Sequence, residues 1–166
     1  MSGAAELTLL IDTNVWLDHY LGRGGGEGDN ASAATELLLR AANDDAIKLA
    51  YSSMTAKDVF FLVGRILKDE LRESGQEVDE ATAQAANEVA WQCIDNMTEL
   101  AIAVPADETD LWMARKQRDA QADLEDALIL AAAQRAKADH LVTGDKQLLA
   151  RAPALAITPE ALLEKL

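Results

Sequence analysis

Asp12 directly follows the apolar run Leu7–Ile11, and Asp145 follows residues 140–144, whose first half is His140, Leu141 and Val142. Short apolar runs of this kind read as strands, which places both carboxylates at strand carboxyl ends. In an open α/β sheet, ligands collect just beyond that edge, so acids far apart in sequence can meet at one ligand. With one cysteine, Cys93, and two histidines, His19 and His140, that lack metal-ligand spacing, no zinc-type cluster is available. The ligand such carboxylates suit is a hard, oxygen-bound divalent ion.

Each acid also has a structural use. Asp12 stands where it can cap a helix starting at Thr13, and Asp145 where it can cap a short helix starting at Lys146. At both positions cap and ligand stay open. Asp58 follows Thr55 at capping-box spacing. Asp123 and Asp126 lie three apart at a helix start, on one face and at the favourable end of the dipole. Asp126 directly precedes the apolar run 127–133, so it lies near a buried face where an unpaired carboxylate is costly. It therefore requires a cation or hydrogen-bond donors. Independent caps have no reason to gather at one sheet edge, which is the argument for a site.

The elements that must position these acids alternate between strand and helix. Strands are expected at residues 7–11, 47–51, 100–104, 140–142 and, more weakly, 155–157. Helices are expected at 13–20, 31–43, 55–73, 79–97, 107–118 and 123–138, with short ones after Asp145 and Pro159. The order implies an α/β fold: a mostly parallel sheet of four to five strands, covered by helices on both faces in three layers. The consecutive pair 55–73 and 79–97, joined at Ser74–Gly75–Gln76, reads as an inserted helical hairpin, a clamp or a dimer face. Its stripe of Val59, Leu62, Val63 and Ile66 suits either core or interface. The glycine-rich stretch 22–30 reads as a loop that gates the cleft or simply joins two helices.

A chain of 166 residues with 49% hydrophobic content can bury one core, so residues 1–166 are expected to form a single domain. No apolar run reaches membrane-span length and no secretory signal opens the chain, so a cytoplasmic protein is expected. With 29 acidic and 15 basic residues the net charge is -14, which argues against indiscriminate binding of polyanions. Carboxylates packed in one cleft contribute to that charge and bound metal would offset them locally. The positive clusters at Arg65, Lys68 and Arg72, at Arg115, Lys116 and Arg118, at Arg135 and Lys137, and at Lys146 and Arg151 read as solvated helix faces. Trp16, Trp91 and Trp112 are expected to fill the core from their helices, and Cys93 to be a small buried hydrophobe.

The run Leu10-Ile11-Asp12-Thr13-Asn14 resembles the opening of a PIN domain, the metal-dependent nuclease fold. Three further segments follow in order. Residues 52–58 resemble the family's second segment, with Asp58 as a shorter substitute for its usual glutamate. Residues 123–128 resemble the third, with Asp126 at the main acidic position and Asp123 as an auxiliary. Residues 141–145 resemble the fourth, with Asp145 as the acid and Thr143 as its accompanying hydroxyl. The resemblance runs from Leu7 to about Ile157. It implies a Rossmann-like PIN fold and hydrolysis of RNA phosphodiester bonds assisted by Mg²⁺ or Mn²⁺, with enough carboxylates for two ions. Asp12, Asp126 and Asp145 are then ligands, and Asp58 is a second-site ligand or a base positioning water. Asn14 and Thr143 orient waters, carboxylates or a phosphate oxygen, with bonding of Asn14 to the first helical turn as the structural alternative.

Many relatives are toxin ribonucleases, those of the VapC type among them, silenced by a small antitoxin, and many pair as dimers. An RNA substrate, an antitoxin partner and a homodimer are thus expected. Two other classes compete. A phosphoryl-transfer enzyme of the haloacid dehalogenase type expects an acid two residues after Asp12, where Asn14 stands, and a receiver domain expects paired acids and a strand-end lysine that are not found. The non-enzyme alternative is a degenerate PIN-like module that binds protein or RNA without catalysis.

Overall fold

The structure, a computed structural model, describes residues 6–23, 30–119 and 123–166. Its elements are β1 (Leu7–Ile11), α1 (Thr13–Leu21), α2 (Asn30–Ala42), β2 (Ile47–Ser52), α3 (Ser53–Glu73), α4 (Glu80–Leu100), β3 (Ile102–Val104), α5 (Glu108–Gln117), α6 (Leu124–Ala136), β4 (His140–Val142), α7 (Lys146–Arg151), β5 (Ala156–Ile157) and α8 (Pro159–Leu163). All five strands run parallel in the order β3-β2-β1-β4-β5.

The sheet is apolar on both faces because helices cover both. Along β1, Leu9 and Ile11 point to one side and Leu10 to the other, the two-residue alternation of a strand. Leu9 and Ile11 join Trp16 of α1, Leu37 and Leu38 of α2, Val59 and Val63 of α3, Ala90, Cys93 and Met97 of α4, and Leu162 of α8. Leu10 joins Ile129, Leu130 and Ala133 of α6, with Leu141 and Leu148. The expected three-layer α/β/α sheet is thus present, with the hairpin on the first face. Val59 and Val63 of the hairpin stripe are fully buried, while Leu62 and Ile66 are half-buried. On α4, Ala86, Ala90, Cys93 and Met97 recur at helical spacing to meet them.

Several local expectations are corrected. α3 starts at Ser53, capped by Ser52, whose hydroxyl accepts from the Met54 N–H at 3.2 Å. Thr55 and Asp58 are therefore inside the helix and form no capping box. α4 continues to Leu100, which leaves β3 only three residues. Trp16 is buried as expected, but Trp91 and Trp112 are 55% and 53% exposed, on helices that bury Ala86, Ala90, Cys93 and Met97 in α4 and Asp110 and Ala114 in α5 instead. Trp91 leans on Phe60, and Lys116 Nζ sits 3.8 Å over the Trp112 ring. Arg135 and Arg151 are engaged in ion pairs rather than solvated faces. Of the expected glycine-rich gating loop, residues 24–29 lie outside the described residues, and Gly22 closes α1 with φ 60°, a conformation glycine adopts without strain. Among the described residues no helix is long and apolar enough to cross a membrane.

Candidate acidic site

The strand order reverses direction between β1 and β4, since β2 and β3 lie on one side of β1 and β4 and β5 on the other. Such a switch point opens a crevice at the carboxyl edge of the two strands. Asp12 emerges there from β1, and its N–H donates to the Val142 carbonyl of β4 at 3.0 Å. Thr143, Gly144 and Asp145 emerge beside it. Asp12 Oδ2 accepts from Thr143 Oγ1 and from Asn14 Nδ2, both at 2.7 Å, while Asp12 Oδ1 accepts from the Thr13 N–H at 2.7 Å. Asn14 Oδ1 in turn accepts from the Gly144 N–H at 2.8 Å, and the Asp145 N–H donates to Thr143 Oγ1 at 3.0 Å. Asn14 and fully buried Thr143 therefore bind one strand end to the other, and Asn14 makes no bond from its side chain back to the first helical turn among the described residues.

The cap and ligand readings prove compatible at the level of single oxygens. Asp145 Oδ1 caps α7 through the Gln147 and Leu148 N–H groups at 2.7 and 3.2 Å, and Asp123 Oδ1 caps α6 through the Glu125 N–H at 2.7 Å. In each, the second oxygen accepts no bond from another described residue. Asp12, which also caps α1, uses three of about four acceptor positions and keeps one.

Asp126 and Asp58 complete the surroundings. Asp126 sits in the first turn of α6 and forms an ion pair with Arg151 Nη1 at 3.2 Å. Asp58 projects from α3 and pairs with Lys57 Nζ at 2.7 Å. Two adjoining hollows result. One of about 350 Å³ is lined by Asp12, Ser52, Lys57, Asp58, Asp123 and Glu125 among others. The second, of about 280 Å³, is lined by Asp12, Asn14, Arg23, Asp123, Glu125, Asp126 and Asp145. A larger trough of about 1060 Å³ lies along α1 and α2, lined by His19, Thr35, Glu36, Arg40 and Asp44. None of the acids at the sheet edge reaches it.

The acids feel one another. Burial pushes the Asp12 carboxyl above the usual carboxylate range, its three donors pull it partly back, and the Asp145 charge raises it further. Burial also raises Asp126, reinforced by Asp145 and Asp123 and opposed by Arg151. Glu125 is raised by burial and then by Asp58, Asp12, Asp123 and Asp126. Among the described residues no three His, Cys, Asp or Glu side chains are drawn together closely enough to hold a metal ion. The donor set nevertheless fits a hard divalent ion: every donor is oxygen, the charges repel, and Asp12 keeps a free acceptor position in a buried setting.

All seven residues singled out in the sequence reach this region. Asp12, Asn14, Thr143 and Asp145 are directly hydrogen-bonded, Asp123 and Asp126 share their hollow, and Asp58 lines the adjoining one. The sequence reading missed Glu125, Lys57, Arg23 and Arg151. Only Glu125 carried a usable signal, as a third acid within the Asp123–Asp126 turn.

The PIN domain family model matches residues 8–147. No curated protein matches the chain. Among solved structures, a VapBC2 complex from Rickettsia felis bound to a promoter DNA fragment is similar at a TM-score of 0.60 and 12% identity, covering 92% of this chain and 98% of that one. A VapBC-1 structure from nontypeable Haemophilus influenzae is similar at 0.59 and 14% identity, covering 93% and 99%. A toxin-antitoxin complex from Klebsiella pneumoniae is similar at 0.53 and 20% identity, covering 91% and 97%.

Proposed function

The chain belongs to the PIN domain family, and from that premise we propose that it is a metal-dependent endoribonuclease, acting as one domain over residues 1–166 in the cytoplasm and serving as the toxin of a toxin–antitoxin pair. The observation that carries the reading is the meeting of Asp12, Asp126 and Asp145, from three separate elements, in one hollow at the β1–β4 switch point. Asp12, Asp126 and Asp145 would hold Mg²⁺ or Mn²⁺, Asp58 would serve a second position or orient water, and Asp123 would assist. A divalent ion supplies, when bound, Lewis-acid charge at a phosphoryl oxygen and a lowered pKa for water.

The chain's own groups do the positioning. Thr143 and Asn14 hold Oδ2 of the Asp12 carboxylate by two short bonds and the Thr13 N–H holds Oδ1, so the group is kept from rotating. Arg151 and Lys57 offset the acids, and at the rim of the cleft they can also meet an RNA phosphate. A small antitoxin and a second copy of this chain are the partners this reading implies; the three similar folds are a VapBC2 structure, a VapBC-1 structure and a toxin-antitoxin complex.

The test is Mn²⁺ titration by calorimetry on wild type and Asp126→Asn. Binding in the wild type and its loss in the variant support the reading. A wild type that binds no Mn²⁺ would leave the acids as caps and surface charge, and the chain as a non-catalytic PIN-like module.

A further inference from the structure

Glu125 is the second residue of α6 and lines both hollows of the acidic cleft, as do Asp12 and Asp123. Asp58 lines only the first hollow, and Asp126 and Asp145 only the second. Every other acid here has a partner: Asp12 three donors, Asp58 the Lys57 ammonium, Asp126 the Arg151 guanidinium, and Asp123 and Asp145 the N–H groups they cap. The Glu125 side chain has neither an ion pair nor a hydrogen bond with another described residue. Glu125 feels the charges of Asp58, Asp12, Asp123 and Asp126, and the cation that reaches it, Lys57, is shared with Asp58, which holds it at 2.7 Å; a cation in the cleft would relieve the remaining repulsion.

We propose that Glu125 is a metal ligand shared between the two hollows, making the direct contact at the second position and leaving the shorter Asp58, held by Lys57, to orient water. The proposal rests on the nuclease reading above. Its geometric basis is that only Asp12, Asp123 and Glu125 among the acids face both hollows, and Asp123 commits one oxygen to its helix cap. Glu125 is exposed and unbonded, so a glutamine there removes the charge without disturbing packing.

The experiment is Mn²⁺ calorimetry on wild type, Glu125→Gln and Asp126→Asn, each in about 0.1 and 0.5 M salt, with melting temperatures of the metal-free proteins. Screening at the higher salt suppresses through-space effects of a lost charge but not the loss of a ligand. The expected result is at least about a tenfold weaker affinity, or fewer ions bound, for Glu125→Gln at both salts, with a metal-free melting temperature no lower than wild type. Binding by Glu125→Gln that equals wild type at high salt, while Asp126→Asn loses it, overturns the assignment and leaves the nuclease reading standing. An effect seen only at low salt also overturns it, as repulsion lost at a distance. A wild type that binds no Mn²⁺ overturns both.

Discussion

Asp12 occupies a contradictory environment: nearly every side of it is protein, yet it sits within reach of other acids. The three donors around it lower the cost of its charge but do not cancel burial, which keeps its carboxyl above the ordinary value of 3.8. The sign of the consequence follows from linkage. A carboxyl whose pKa is higher in the fold than in the unfolded chain contributes stability that is full below about 3.8 and is lost as pH rises through the folded value. In chelator, the stability advantage of wild type over Asp12→Asn should therefore shrink as pH rises from 4 towards neutrality. Urea denaturation at a series of pH values measures it, and parallel profiles for the two proteins would contradict the assignment. At this scale the sequence was informative about Asp12, Asn14, Thr143 and Asp145, because all lie within three residues of the end of a recognisable strand. It read Arg151 as part of a solvated face and gave Lys57 no role, because their pairing depends on where α7 and α3 come to rest.

Helix α6 carries Asp123, Glu125 and Asp126 near its start and Arg135 in its last turn, so whatever fixes Arg135 also fixes the acids along the axis. Arg135 Nε and Nη2 reach Asp110 Oδ1 and Oδ2 at 3.2 and 2.9 Å, and Nη2 reaches Asp107 Oδ1 at 2.8 Å. Asp110 is only 3% exposed and completes the α5 capping box by accepting from the Asp107 N–H at 2.7 Å. Arg135→Ala would leave that buried carboxylate with one donor, the Asp107 N–H, and should lower the denaturation midpoint clearly. Arg135→Lys should recover only part, as an ammonium lacks the planar fork. Chemical denaturation checks both, and an unchanged midpoint for the alanine variant would show the clamp to be incidental. Element types were legible from apolar runs and turn residues. Boundaries were less so: Thr55 and Asp58 imitate a cap that Ser52 already provides, and α4 outlasts its expected end into what reads as strand. Nor does helical spacing say which aromatics face outward, as Trp91 and Trp112 demonstrate.

The strand order β3-β2-β1-β4-β5 is a property of the whole chain, set by which side of β1 each crossover takes, and no local pattern encodes it. That order makes β1 and β4 neighbours and turns two distant aspartates into one site. The net charge of -14 repels RNA at long range, so under the proposed reading recognition would lean on the few cations at the cleft, Arg23, Lys57 and the Arg151 paired with Asp126, and on metal. The most direct measurement is cleavage of a mixed single-stranded RNA pool by wild type and Asp12→Asn, with Mn²⁺ and then with excess chelator. The account predicts metal-dependent internal cleavage by wild type that chelator abolishes, and a loss of at least about a hundredfold in the variant. Cleavage that persists in chelator, or that Asp12→Asn retains in full, would contradict it.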